Sequence, residues 1–227
     1  MICMILPLSL AGCVSNEVES NAFPLAIGIA AEQDGGFHMY VAYPDLEDPD
    51  AAEDALSKDA YWDESLENLT EGTELMSKVS SRNVDMNHLK VLILDSRMLD
   101  GGTNADCLIQ YFREEKDIAW NAYVLLADAE MEDLFSDEVQ INACLGIYLE
   151  DLIEGWEDIK SGSLVTVGSL VSQYYNENET LLVPVAGIEE SQPVVENFAA
   201  VSGLRVTGEQ SMEEVFASHD SLILFEG

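Results

Sequence analysis

Two apolar runs constrain this chain more than anything else in it. His88-Leu89-Lys90-Val91-Leu92-Ile93-Leu94 and Trp120-Asn121-Ala122-Tyr123-Val124-Leu125-Leu126 both finish without polar alternation. A strand with one face in water alternates apolar and polar residues, so an unbroken run reads as a strand covered on both faces. Between the runs, Ala105, Leu108, Ile109, Tyr111 and Phe112 recur at helical spacing, which marks one apolar stripe on an otherwise polar helix. Strand, helix and strand in that order call for a sheet layered with helices, an α/β architecture.

The flanking sequence makes the sheet a mixed one. Leu25-Ala26-Ile27-Gly28-Ile29-Ala30 and Phe37-His38-Met39-Tyr40-Val41-Ala42-Tyr43 flank the turn signal Gln33-Asp34-Gly35-Gly36, the pattern of an antiparallel hairpin. Residues 45–63 are acidic, contain Pro49 and read as a solvated loop; their carboxylates lack the glycine and the spacing of an EF-hand calcium loop. Leu66, Leu69, Thr73, Leu75, Met76 and Val79 predict an amphipathic helix over about residues 64–80. Further helices are expected over 130–135, 147–159 and 164–175. After a break near 176–179, Leu181-Leu182-Val183-Pro184-Val185, Leu204-Arg205-Val206, a short helix over 212–217 and Leu222-Ile223-Leu224-Phe225 form a strand-rich tail. No internal repeat or low-complexity tract interrupts the chain.

At 227 residues and 48% hydrophobic content the chain can bury a real core, which rules out a disordered tail. Nine Lys plus Arg against 44 Asp plus Glu give a formal charge of -35, so repulsion disfavours nucleic acid and anionic lipid surfaces as partners, and no nucleic-acid partner is expected. His38, His88 and His219 are scattered, and no zinc motif or cofactor signature joins them to the cysteines. Neither Gly35-Gly36 nor Gly101-Gly102 belongs to a phosphate-cradling loop, Gly-x-Ser-x-Gly is missing, and no carboxylate pair is fixed beside a base or nucleophile. No catalytic residue and no cofactor is therefore expected.

The first residues carry a different signal. Met1 to Gly12 is apolar and uncharged and gives way at once to Ser15, Asn16 and Glu17. Leu10-Ala11-Gly12-Cys13 resembles the lipobox of exported bacterial lipoproteins, in which the small residues enter the peptidase cleft and the cysteine thiolate takes the lipid. The run is too short to span a bilayer, which needs about 20 apolar residues, and it lacks the Lys or Arg of a full export signal, as though the start lay further upstream. Cys13 is thus the expected lipidation site, with the chain held on the outer face of the cell membrane. Cys3 would leave with the signal, and Cys107 and Cys144, both in apolar helical surroundings, read as buried thiols in preference to a disulfide. The expected organisation is a signal remnant over 1–12, an N-terminal α/β domain over 13–178, and a smaller α+β unit over 179–227 whose completeness is left open.

Several segments, in this order, resemble the Ger(x)C family of spore germination lipoproteins, the C subunits of germinant receptors. After the lipobox come Glu17-Val18, Ala22-Phe23 and the strand Leu25-Ala26-Ile27-Gly28-Ile29, with Ala30 where the family has Asp and Val14 where it has Trp. Val79-Ser80-Ser81-Arg82 followed by the His88-Leu89-Lys90 strand, then Leu99 and Gly102, Phe112-Arg113, Asp117-Ile118 and Tyr123-Val124 continue the pattern. Leu182-Val183-Pro184 and Ser202-Gly203-Leu204 resemble the entry to the family's second domain; a third domain, usual in the family, would follow Gly227. The resemblance implies a non-enzymatic subunit of a germinant receptor in the spore's inner membrane, beside a membrane-embedded and a transporter-like partner. It points to His88 and Lys90 as partner-facing residues, whereas the residues by themselves read as the polar side of a strand or a satisfied core histidine. A solute-binding lipoprotein feeding a transporter is the alternative, and would need a cleft lined by convergent polar and aromatic groups; an exported hydrolase is a third reading, without a constellation to carry it.

Overall fold

A computed structural model describes residues 21–33, 35–45, 58–80, 82–156, 164–176 and 179–215. Cys3, Cys13, His219 and the expected strand at Leu222-Ile223-Leu224-Phe225 lie outside the described residues.

The chain enters through a two-residue strand, β1 (Asn21–Ala22), and continues into the expected hairpin, β2 (Ala26–Ala31) and β3 (Phe37–Pro44). Gly35 and Gly36 make the turn at φ 91° and 99°, a region that side chains with a Cβ avoid. A Cβ on Gly36 would also stand 2.8 Å from the Leu66 carbonyl oxygen. Next come β4 (Asp59–Leu66), α1 (Gly72–Ser80), β5 (Asn83–Val84) and the buried strand β6 (Val91–Leu94). α2 (Thr103–Glu114) leads to β7 (Tyr123–Ala127), and α3 (Met131–Leu134), α4 (Leu145–Glu154) and α5 (Val167–Tyr175) follow. The chain then runs through β8 (Leu181–Glu189), β9 (Gln192–Ser202) and β10 (Arg205–Ser211).

Eight strands form one mixed sheet in the order β10-β9-β8-β7-β6-β2-β3-β4, while β1 and β5 pair separately. β2, β6, β7 and β8 run parallel, and the remaining neighbours are antiparallel. All four residues of β6 are fully buried because each face of the sheet is covered. Leu92 and Leu94 join Ile27, Ile29, Val124 and Leu126 in a core shared with Met76 of α1, Leu108 and Phe112 of α2, and Leu170 of α5. Val91 and Ile93 join Leu125 in a second core with Met131 of α3 and Leu145 and Leu149 of α4. Each such aliphatic side chain contributes about 1.5–3 kcal/mol by leaving water, which explains the absence of alternation in that run.

Three local expectations are corrected. The helix expected over 64–80 begins only at Gly72, because residues up to Leu66 extend β4, paired with β3 from Pro44↔Asp59 to Phe37↔Leu66. A continuous ladder outweighs apolar spacing that fits either period. For the same reason Asp59 to Asp63 is strand and not loop, whereas residues 46–57 lie outside the described residues. The run from His88 is strand only from Val91; Met86–His88 is a 3-10 turn whose Asp85 side chain accepts from the Asn87 N–H at 3.0 Å.

The strands expected at Leu181-Leu182-Val183-Pro184-Val185 and around Leu204-Arg205-Val206 are present, and they extend the same sheet. β8 lies parallel to β7 through Leu126↔Val185 and Ala127↔Ala186, and the buried Gln173 of α5 donates to the Glu179 and Val201 carbonyls at 2.7 and 2.8 Å. Residues 212–215 are helical, at the start of the helix expected over 212–217.

Candidate functional site

Parallel strands discharge their C-terminal ends on one side of a sheet, where ligands commonly sit in this architecture. Here Glu32 follows β2, Asp95 follows β6 and Asp128 follows β7, and together with Glu130, His38 and Tyr40 they line an open, polar cleft of about 770 Å³.

Asp95 anchors the floor. Its carboxylate accepts from the Arg97 backbone N–H at 2.7 Å and from the Arg97 guanidinium through Nε at 2.9 Å and Nη2 at 2.7 Å. Burial opposes its ionisation, yet the Arg97 hydrogen bonds and charge outweigh that and hold the carboxyl below its ordinary range. This two-pronged pairing leaves Arg97 largely neutralised within the cleft.

His38 forms one wall. Its Nε2 lies 3.0 Å from Asp63 Oδ1, its Nδ1 lies 3.2 Å from Ser65 Oγ and 3.5 Å from Glu32 Oε1, and its ring stacks on Tyr40 at 4.4 Å. β3 and β4 bring these side chains together through the pairs His38↔Ser65 and Tyr40↔Asp63. Ser65 donates its hydroxyl hydrogen to Glu32 at 2.5 Å. Ser65, His38 and Asp63, with Glu32 just after β2, thus link β2, β3 and β4 through side chains. Burial, then the Asp63 and Glu132 charges, push the Tyr40 hydroxyl above its ordinary pKa, and the phenol stays neutral.

A second polar feature lies in the α3/α4 layer. Asp59, at the start of β4, is buried and accepts from the Leu145 N–H at 2.6 Å, which supplies α4 with a cap 86 residues away in sequence. The neighbouring Cys144 thiol donates to the Lys58 carbonyl at 3.4 Å. Burial pushes Asp59 up to about 6, against the Leu145 hydrogen bond, and burial with the Asp59 charge pushes Cys144 up to about 12. Cys144 is therefore an inert thiol at neutral pH. Both Cys107, half-buried, and Cys144, buried, are free. Among the described residues no group of three or more His, Cys, Asp or Glu is placed to hold a metal ion, and no helix is long and apolar enough to cross a membrane.

Residues 15–188 match the family model described as the spore germination protein N-terminal domain. The chain belongs to this GerAC-type family. No curated protein sequence matches it. Among solved structures, the crystal structure of the GerBC protein is similar at 14% identity and a TM-score of 0.42, over 82% of this chain and 52% of that one. The chain thus spans about half the length of that relative.

In this spore germination protein His88 and Lys90 stand at the N-terminal end of β6, the opposite end of the sheet from the cleft. His88 is exposed, with its ring edge-on to Phe23 at 5.2 Å. Lys90 pairs with Glu150 of α4 at 2.9 Å, while its N–H donates to the Leu25 carbonyl and its carbonyl accepts from the Tyr123 N–H. Neither occupies a strand position, and neither lines the cleft. Sequence reading missed the cleft because its members come from four separate segments; the available signal was an Asp directly after the buried strand run, at Asp95.

Proposed function

We propose that this chain is the lipid-anchored, non-enzymatic C subunit of a spore germinant receptor, working by docking to membrane-embedded partners and contributing to nutrient-triggered germination. The observation that carries the reading is the family match over residues 15–188, which begins two positions after Cys13. A lipid on Cys13 would hold the folded part beside partners in the same bilayer and raise their effective concentration, so that a modest interface suffices. His88, exposed beside the point where the chain enters the sheet, and Lys90 remain the residues proposed to face a partner. The cleft favours a second reading, a solute-binding lipoprotein, since its volume of about 770 Å³ lies in the range of small-molecule sites.

The test is crosslinking before solubilisation in the sporulating source, combined with deletion of the gene. The docking reading expects the chain joined to a polytopic subunit, and slow nutrient germination with normal vegetative growth. Recovery of free monomer together with normal germination would overturn it in favour of solute binding. Cys13→Ser should abolish fatty-acid incorporation and release the chain from membranes; a parent that never incorporates label defeats the anchor.

A further inference from the structure

Large apolar side chains exposed among the described residues are Val79, Trp120, Tyr174 and Tyr175, and the three aromatic ones lie at the two ends of α5. Trp120 sits at its start, where its carbonyl accepts from the Gly168 N–H at 2.9 Å. Tyr174 and Tyr175 end the helix with their rings edge-to-face at 5.1 Å. Trp120 is 47% and Tyr175 60% exposed, more than core packing accounts for. The Tyr174 hydroxyl donates to Asp106 of α2 at 2.8 Å, and both residues line each of two grooves. One, of about 440 Å³, runs along α2 past Ile109, Arg113 and Glu114; the other, of about 360 Å³, reaches Gly203 and Leu204 at the β9–β10 turn.

Rigid exposed aromatic rings are the side chains most often responsible for binding energy at protein interfaces. Charge decides what can cover them. The chain carries a formal -35, so a second copy would bring the same repulsive field and an anionic lipid surface would add to it. A guanidinium or ammonium group gains on both counts, from the ring faces and from the carboxylates of Asp106 and Glu114 beside them, which outnumber Arg113, the cation that lines the same groove.

We infer that the α2–α5 face is a docking surface for an Arg- or Lys-bearing segment of a protein partner, whose basic side chain lies against Tyr174 and Tyr175 and is neutralised by Asp106 and Glu114. This rests on the docking reading proposed above and adds to it the face and the chemistry of the contact.

The test places the photoreactive p-benzoylphenylalanine at Tyr175 in the full membrane-attached chain and, separately, at Glu132, exposed on the opposite helical layer. Irradiated spore membranes should give a product at position 175 joined to an Arg- or Lys-containing peptide of another protein. Its yield should exceed that at 132 about tenfold and fall about tenfold when Asp106→Asn and Glu114→Gln are combined, substitutions that keep shape and remove charge. A product from position 132 alone would overturn the face while leaving the docking reading in place. A product at 175 joined to a second copy, or to a segment without basic residues, would overturn the occupant. Absence of any product with another protein at both positions would remove the docking reading itself, and this inference with it.

Discussion

Asp59→Asn isolates one buried carboxylate in a chain that has 44 acidic residues. Asp59 accepts from Leu145 through Oδ2, while its Oδ1 is buried without a hydrogen-bond partner among the described residues. Burial raises its pKa from 3.8 to about 6. The fold therefore binds this proton more tightly than the unfolded chain does, so the stabilisation is fully present below pH 3.8 and is lost as pH rises through about 6. At about 1.4 kcal/mol per pKa unit, the rise corresponds to about 3 kcal/mol of stability lost over that interval. Asparagine keeps an acceptor for the Leu145 N–H but cannot ionise. Cys144 and Tyr61, the titrating neighbours of Asp59, both stay neutral across the interval, since burial and the Asp59 charge push each of them upward. Urea unfolding of parent and variant at constant ionic strength, in steps from pH 4 to pH 7, gives the difference between them, in which relief of general acidic repulsion cancels. That difference should move by about 3 kcal/mol in favour of the variant as pH rises. Parallel pH profiles would refute the reasoning and place the Asp59 charge in contact with solvent.

Gly146→Ala should destabilise by about 2 kcal/mol or more, read as a fall in thermal midpoint, because a Cβ there would strike the Leu25 carbonyl group, which is backbone and cannot swing aside. Gln173→Leu should cost about 2 kcal/mol in denaturant unfolding, since it leaves the Glu179 and Val201 carbonyls without their buried donor; an unchanged midpoint would mean water replaces the amide. Raising sodium chloride from about 10 mM to 150 mM, which shortens the screening length from about 30 Å to about 8 Å, should raise the thermal midpoint by relieving repulsion in a chain of charge -35. A flat response would show that the charges are already compensated within the fold.

What could be read in advance follows the range of the interactions responsible. The β2–β3 hairpin and β6 are declared by neighbours in sequence, Gly35-Gly36 for the turn and Val91 to Leu94 for double-sided burial. β4 is not. Its acidic outer residues, Asp63 and Glu64, look like loop, and Leu66 with Leu69 fits a helical stripe; pairing with β3 across the intervening 46–57 segment settles the matter. The continuity of the sheet beyond residue 178 was hidden for the same reason, since two register pairs between β7 and β8 and one buried glutamine hold it. The cleft collects Glu32, His38, Asp95 and Asp128 from four separate segments, so its geometry exists only once the register does. His88 and Lys90 drew notice as alternate strand residues, and their actual place just before β6 follows from the 3-10 turn at Met86–His88.

The position of β2 has a mechanical consequence. A pull on the N-terminal end of the chain reaches the main sheet at an interior strand, held by six residue pairs to β3 on one side and four to β6 on the other. These hydrogen bonds lie across the strand and the force lies along it, so all of them are loaded together in shear instead of opening one after another. A tether attached ahead of residue 21 would accordingly load the two-residue β1–β5 pair first and then hand tension to the whole sheet, and the molecule would respond to lateral drag by turning as one body.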